Sequence, residues 1–274
     1  MQQNGRDIGT FIATKEHRRF VEFANTVKKH RYIGLCYGPA GVGKTLSARR
    51  YAHWDTVEPF FREWPHNDKY IPEASVNLAQ TRTLFYTPSV SETLRDMRKS
   101  LGDQLVQAED SIDTHLNYNK KFRKIHDHPA DIELLIFDEA ERLSMNTIEF
   151  VRDIFDRKGV GVILVGMTGM EKRFSRFAQF YSRVGFAHHY RPLRGDELTC
   201  VLTRHWRSLG INLDAADFTD SQAVASIARL TGGNFRLLHR LFTKVERIMK
   251  INELTLITDE VVEAARSALV IGVT

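Results

Sequence analysis

Two cysteines among 274 residues are too few for a disulfide framework or a zinc-binding cluster. Cys36 lies in an apolar run, the setting of a buried free thiol, and Cys200 has no cysteine near it in sequence. No apolar stretch approaches the ~18 residues that span a bilayer. The opening residues, MQQNGRDIGTF, lack the charged-then-apolar pattern of a secretory signal. A cytoplasmic protein with no membrane partner is the expectation. Internal repeats and low-complexity stretches are absent as well. Neither sign of charge dominates: 39 Lys and Arg stand against 34 Asp and Glu, a net charge of +5. Such a balance tolerates a polyanionic partner without requiring one, so the placement of the charge matters more than its sum.

What is present has a clear order. Residues 15–30 read as a helix capped by Thr14, with Phe20, Val21, Ala24 and Val27 on its apolar face. Residues 32–37 form a short apolar run ending at Gly38, the pattern of a buried strand entering a turn, and residues 44–53 continue as a helix. Residues 55–82 show no sustained periodicity and hold three prolines, which predicts an irregular insertion with at most a short helix. A strand at 83–86, a helix over 91–107, and two further buried strands at 132–137 and 160–165 follow. Strands alternating with helices predict an α/β fold, a parallel sheet with helices on both faces. Beyond Pro192 only helices are expected. The clearest spans 235–249, with Leu238, Leu241, Phe242, Val245, Ile248 and Met249 in one stripe, and Thr258 caps the last. The expected division is an α/β domain over 1–193 and an all-helical lid over 194–274.

The chemistry concentrates in two segments. Gly38, Pro39, Ala40, Gly41, Val42, Gly43, Lys44 and Thr45 spell GPAGVGKT, the pattern GxxxxGK[ST]. Its glycines let backbone N–H groups turn toward phosphate oxygens, and the following helix aims its positive end at the same anion. Lys44 is expected on the β- and γ-phosphates of ATP, and the Thr45 hydroxyl on Mg²⁺. The second segment, LLIFDEA over 134–140, delivers two carboxylates at the end of an apolar strand. Asp138 would hold Mg²⁺ through its water shell and Glu139 would polarise the attacking water. The competing reading is that the two acids merely begin the next helix, with Ala140 and Glu141 continuing it.

With these motifs the chain resembles the AAA+ superfamily of P-loop ATPases, which implies a central parallel sheet flanked by helices and followed by a small helical lid. The resemblance implies further site residues. Thr168, after the strand that ends VGMT, stands where a polar sensor is expected. Arg183 best fits the arginine that reaches a neighbouring subunit's nucleotide, with Arg173 and Arg176 as the other arginines of that stretch. Arg236, in GGNFRLL, stands where the lid contacts nucleotide, although Gly232, Gly233 and Asn234 also suit a plain helix cap. Within the superfamily, GPAGVGKT, LLIFDEAERL, ILVGMTGMEKRF, YSRVGFAHHYRPL and TGGNFRLL are most similar to the transposition regulators grouped as TnsC, TniB and MuB.

That resemblance covers about residues 14–270. It implies an ATPase that forms a homo-oligomer, a ring or a filament, on double-stranded DNA. Such an ATPase presents target DNA to a transposase, with a targeting adaptor as a further partner. The residues offer one basic cluster in support: Lys120, Lys121, Arg123 and Lys124, in YNKKFRKIH, with no acid among them. A DNA contact and a solvated loop account for this cluster equally well. The alternative from another class is an ATPase of ExeA type that acts on protein assembly without nucleic acid.

Overall fold

The structure is a computed structural model; it describes residues 11–62, 71–118, 132–214 and 216–267. Lys120, Lys121, Arg123 and Lys124 lie outside the described residues. The chain divides into two compact units, Arg19–Tyr190, and Arg191 onward together with the residues up to Arg18.

The first unit opens with helix α1 (Lys15–His30), whose first turn belongs to the other unit. Thr14 caps it, its hydroxyl accepting from the His17 N–H at 3.1 Å. Strand β1 (Ile33–Gly38) leads through the phosphate loop into α2 (Lys44–Tyr51). Helices α3 (Trp54–Arg62) and α4 (Ile71–Thr81) precede β2 (Thr83–Tyr86), and the long α5 (Leu94–Tyr118) precedes β3 (Leu134–Phe137). A single 3₁₀ turn, Ala140–Arg142, then gives way to α6 (Met145–Lys158) and β4 (Gly161–Met167). Two short helices, α7 (Met170–Phe174) and α8 (Ala178–Tyr181), lead to β5 (Val184–His189).

The five strands are all parallel, in the order β2-β3-β4-β1-β5. β2 and β3 are buried at every position, and β4 at every position but its last. Full burial is the reason they read as unbroken apolar runs. The edge strand β5 instead alternates half-buried and exposed residues. Helix α1 comes close to the sheet where β1 and β4 carry glycine. A methyl group at Gly34 would lie 2.6 Å from Phe23 and Val27, and one at Gly161 would lie 2.9 Å from the Val27 carbonyl oxygen.

Two expectations are corrected. Residues 55–82 are not an irregular insertion: their described part is α3 and α4. Pro59 sits inside α3, and the buried Trp54, Val57 and Phe60 hold that helix despite the lost hydrogen bond. Pro72 is the second residue of α4, where an N–H has no partner within the helix. The helix expected over 91–107 runs on to Tyr118, because Leu101, Leu105, Ala108 and Ile112 keep one buried stripe past its acidic residues.

The second unit contains α9 (Asp196–Ser208), α10 (Phe218–Thr231), α11 (Phe235–Ile251) and α12 (Asp259–Ser267). Its own core is built on Trp206, Leu202, Ile227, Leu238, Leu241 and Val262, and Ile12 from the N-terminal segment packs there. That segment is tied in by polar contacts too, including one from the Arg191 N–H to the Glu16 carboxylate at 3.3 Å. No helix among the described residues is long and apolar enough to cross a membrane.

Candidate functional site

The carboxyl ends of β1, β3 and β4 fix the site. β4 lies between the other two, so the loop after β1 and the acids after β3 are one strand apart. Gly38 and Met167 are register partners, which sets Thr168 beside the start of the loop.

Within the loop, Gly41 and Gly43 have φ of 79° and 107°, values that glycine adopts without steric cost. Gly38 is required for a different reason: a methyl group there would lie 2.2 Å from the Tyr190 carbonyl oxygen. Val42 is buried and pins the loop to the core, while Pro39 and Ala40 are exposed on its outer side. Gly43 is the N-cap of α2 and brings no side chain to the helix end, so the first N–H groups are not claimed by a side-chain cap. Lys44 is 8% exposed, and its Nζ donates to the Gly38 and Pro39 carbonyls at 2.8 and 2.7 Å. An ammonium above backbone N–H groups at a helix N-terminus makes an anion cradle.

Asp138 joins this cradle. Its carboxylate, 4% exposed, accepts from the Thr45 hydroxyl, and its backbone N–H donates to Tyr86 O at 2.8 Å. Burial pushes the Asp138 carboxyl above its ordinary pKa, and the Thr45 hydrogen bond and the Lys44 charge act the other way. The donor set fits a hard divalent cation: one hydroxyl and one carboxylate, the latter destabilised by burial in the charged form a cation would favour.

Glu139 follows with φ of 50°, a left-handed conformation rare outside glycine. Its carboxylate pairs with Arg142, three residues on across the 3₁₀ turn. Arg142 in turn donates to Pro88 O at 2.8 Å, past the end of β2. Arg173 holds the same turn from its other side, donating to the carbonyls of Glu141 and Leu143. Arg142 was not singled out in the sequence, although the i, i+3 spacing of a 3₁₀ turn brings such a pair together. Ser47 and Tyr190 were also missed. Their hydroxyls are 2.7 Å apart, linking α2 to the residue after β5.

The remaining predicted residues stand elsewhere. The Arg183 carbonyl accepts from Ile33 N at the start of β1, the opposite edge of the sheet from Gly38. Five strand steps, about 17 Å, separate those edges. Its guanidinium grips Asp156 with Nε and Nη2 at 2.7 and 2.9 Å, which holds the Asp156 carboxyl below its ordinary pKa. Arg176 is exposed, and no contact involving its side chain is found among the described residues. Arg236 belongs to the helical unit. Gly233 of that unit has φ of 74°, and a methyl group there would lie 2.0 Å from Leu193 O. Asn234 caps α11 by accepting from the Arg236 and Leu237 N–H groups at 3.0 and 3.3 Å, and the Arg236 side chain is exposed.

A parallel sheet with a glycine loop, Lys44 and Thr45 after one strand and a buried aspartate two strands away defines a P-loop nucleotide-binding protein. A family model described as an AAA domain matches residues 27–174. A Staphylococcus aureus protein described as a potential ATP-binding protein is 40% identical over 272 residues, covering 96% of this chain and 97% of its own length. The chain belongs to the AAA domain family of P-loop ATPases, and the family implies ATP and Mg²⁺ as its ligands.

Solved structures agree on the fold. The Thermotoga maritima RuvB Holliday junction branch migration motor superposes with a TM-score of 0.55 at 18% identity, covering 92% of this chain and 68% of that one. The Aeropyrum pernix ORC1 protein in complex with DNA gives 0.55 at 14%, covering 92% and 64%. At such identities the likeness shows architecture alone.

Proposed function

We propose that this protein hydrolyses ATP and uses the cycle to assemble on double-stranded DNA, as a regulator that presents target DNA to a transposase. The observation that carries the ATPase reading is the meeting of Lys44, Thr45 and Asp138 at one sheet edge. Bound Mg²⁺ would supply charge neutralisation on the phosphates, with Thr45 and Asp138 as its holders. Lys44 neutralises the transferred phosphoryl group, and Glu139 orients the attacking water once its carboxylate is released from Arg142.

The position of Arg183 supports a site completed by a neighbour. Standing at the opposite strand ends from Gly38, it is badly placed for its own chain's loop, and we assign it to a second copy's. Release from Asp156 then becomes part of assembly. Arg236 and Thr168 are assigned to nucleotide sensing on the sequence resemblance. The DNA and transposase roles rest on the sequence similarity to transposition regulators.

Electron microscopy of the full chain with ATP or a non-hydrolysable analogue, with and without duplex DNA, tests this. Nucleotide-dependent rings or filaments promoted by DNA are expected. Assemblies indifferent to DNA would replace this reading with an ExeA-like role in protein assembly.

A further inference from the structure

Helix α11 carries five cations, Arg236, Arg240, Lys244, Arg247 and Lys250, against the single acid Glu246. Its buried positions are Leu238, Leu241, Phe242, Val245 and Met249. At 100° per residue the cations fall on the opposite side of the helix, within an arc of roughly 120°. Among the described residues no ion pair engages any of the five. Ordinary solvated helix faces look different, and α6 shows how: Arg152 pairs with Glu149 and Asp156, and Arg157 with Asp153.

Several acids of the helical unit are occupied elsewhere. Asp217 caps α10, accepting from the Thr219 and Asp220 N–H groups. Asp220 accepts from Trp206 Nε1 and the Asp214 N–H. Glu263 pairs with Arg229 and Arg266, and Asp259 accepts from Ser226. Among the described residues, none of these four acids reaches the cations of α11.

We infer that the outer face of α11 is a binding surface for the phosphate backbone of duplex DNA. From Arg240 to Lys250, leaving aside Arg236, which is assigned to nucleotide sensing, the helix extends ~15 Å, and duplex DNA carries one charge per ~1.7 Å of axis. A band of cations along one side of the helix suits that array. An acidic protein partner fits less well, because the exposed positions from Arg236 to Lys250 include no apolar residue, and the exposed apolar side chain of the helix, Ile251, stands at its C-terminal end rather than amid the cations. A lipid surface does not fit, since the apolar face that would enter it is buried in the unit's core. Phosphate contact alone gives affinity without sequence preference. The choice of DNA rests on the proposed function, whereas the surface itself rests on the charge pattern.

The test is a fluorescence anisotropy titration of the full chain with mixed-sequence duplex DNA over a salt series. The variants are Arg240→Glu/Arg247→Glu and the milder Arg240→Gln/Arg247→Gln. The charge reversal is expected to weaken binding at least ~10-fold at low salt and to flatten the salt slope by about two, near 0.9 per lost phosphate contact. The glutamine pair should show a smaller loss in the same direction, with ATP binding and circular dichroism unchanged in both. Wild-type affinity and slope in the charge reversal would overturn the inference while leaving the proposed function standing. A wild-type chain that binds no duplex at any salt would overturn both.

Discussion

The two units of this molecule treat charge in opposite ways. In the α/β unit, cations are used to fix geometry. Arg49 is tied to Asp55 and Glu58, Arg142 to Glu139, Arg152 to Glu149 and Asp156, and Arg183 to Asp156. In the helical unit, Asp217, Asp220, Asp259 and Glu263 serve caps and cross-links, and among the described residues the cations of α11 make no ion pair. A surface that holds a nucleotide needs its charges fixed before the ligand arrives, because each ordered donor then costs no reorganisation during reaction. Sequence-tolerant contact with a long polyanion needs only density and access.

Variants can sharpen this contrast, beginning with the largest effect. Lys44→Ala removes the ammonium of the cradle. ATP turnover should fall ~100-fold or more, the scale for losing a donor aimed at developing charge. DNA affinity measured without nucleotide should be unchanged. An equal loss of DNA binding would mean that the two units do not divide their tasks in this way.

A smaller effect is expected at Asp138, whose carboxyl is held above its ordinary pKa chiefly by burial. In the folded protein without nucleotide the ionised form is disfavoured, so this group lowers stability at neutral pH. That deficit disappears as pH falls through the raised pKa and then the unfolded one. Asp138→Asn should therefore melt higher than wild type at pH 7 without ligand, with the gap closing on acidification. Thermal unfolding across pH measures this, and a gap that widens in acid would contradict the assigned cause. The smallest change is Asn234→Ala, which removes the α11 cap at a cost of ~1 kcal/mol. Denaturant unfolding should detect that loss with no shift in the DNA salt slope.

How much of this was legible in the sequence depended on distance along the chain. The loop from Gly38 to Thr45 is contiguous, and its glycines state their backbone requirement directly. Asp138 was legible as the residue that ends a fully apolar strand. α3 and α4 were not, because Pro59 and Pro72 argue against helix locally while Trp54, Val57 and Phe60 decide the matter through packing. The Arg142–Pro88 contact spans 54 residues and the Arg183–Asp156 contact 27, so no local pattern announces either. The cation stripe of α11 was present in the sequence throughout. Only the structure shows that, among the described residues, no ion pair engages it.

The central claim is that one chain's Glu139 works with another chain's Arg183. It is tested most directly by mixing Glu139→Gln with Arg183→Ala and measuring steady-state ATP turnover. Each variant alone should fall to ~1% of wild type or less. The mixture should regain turnover in proportion to the interfaces that join an intact Glu139 to an intact Arg183. A mixture as inactive as its components, though the two variants co-assemble, would contradict the account.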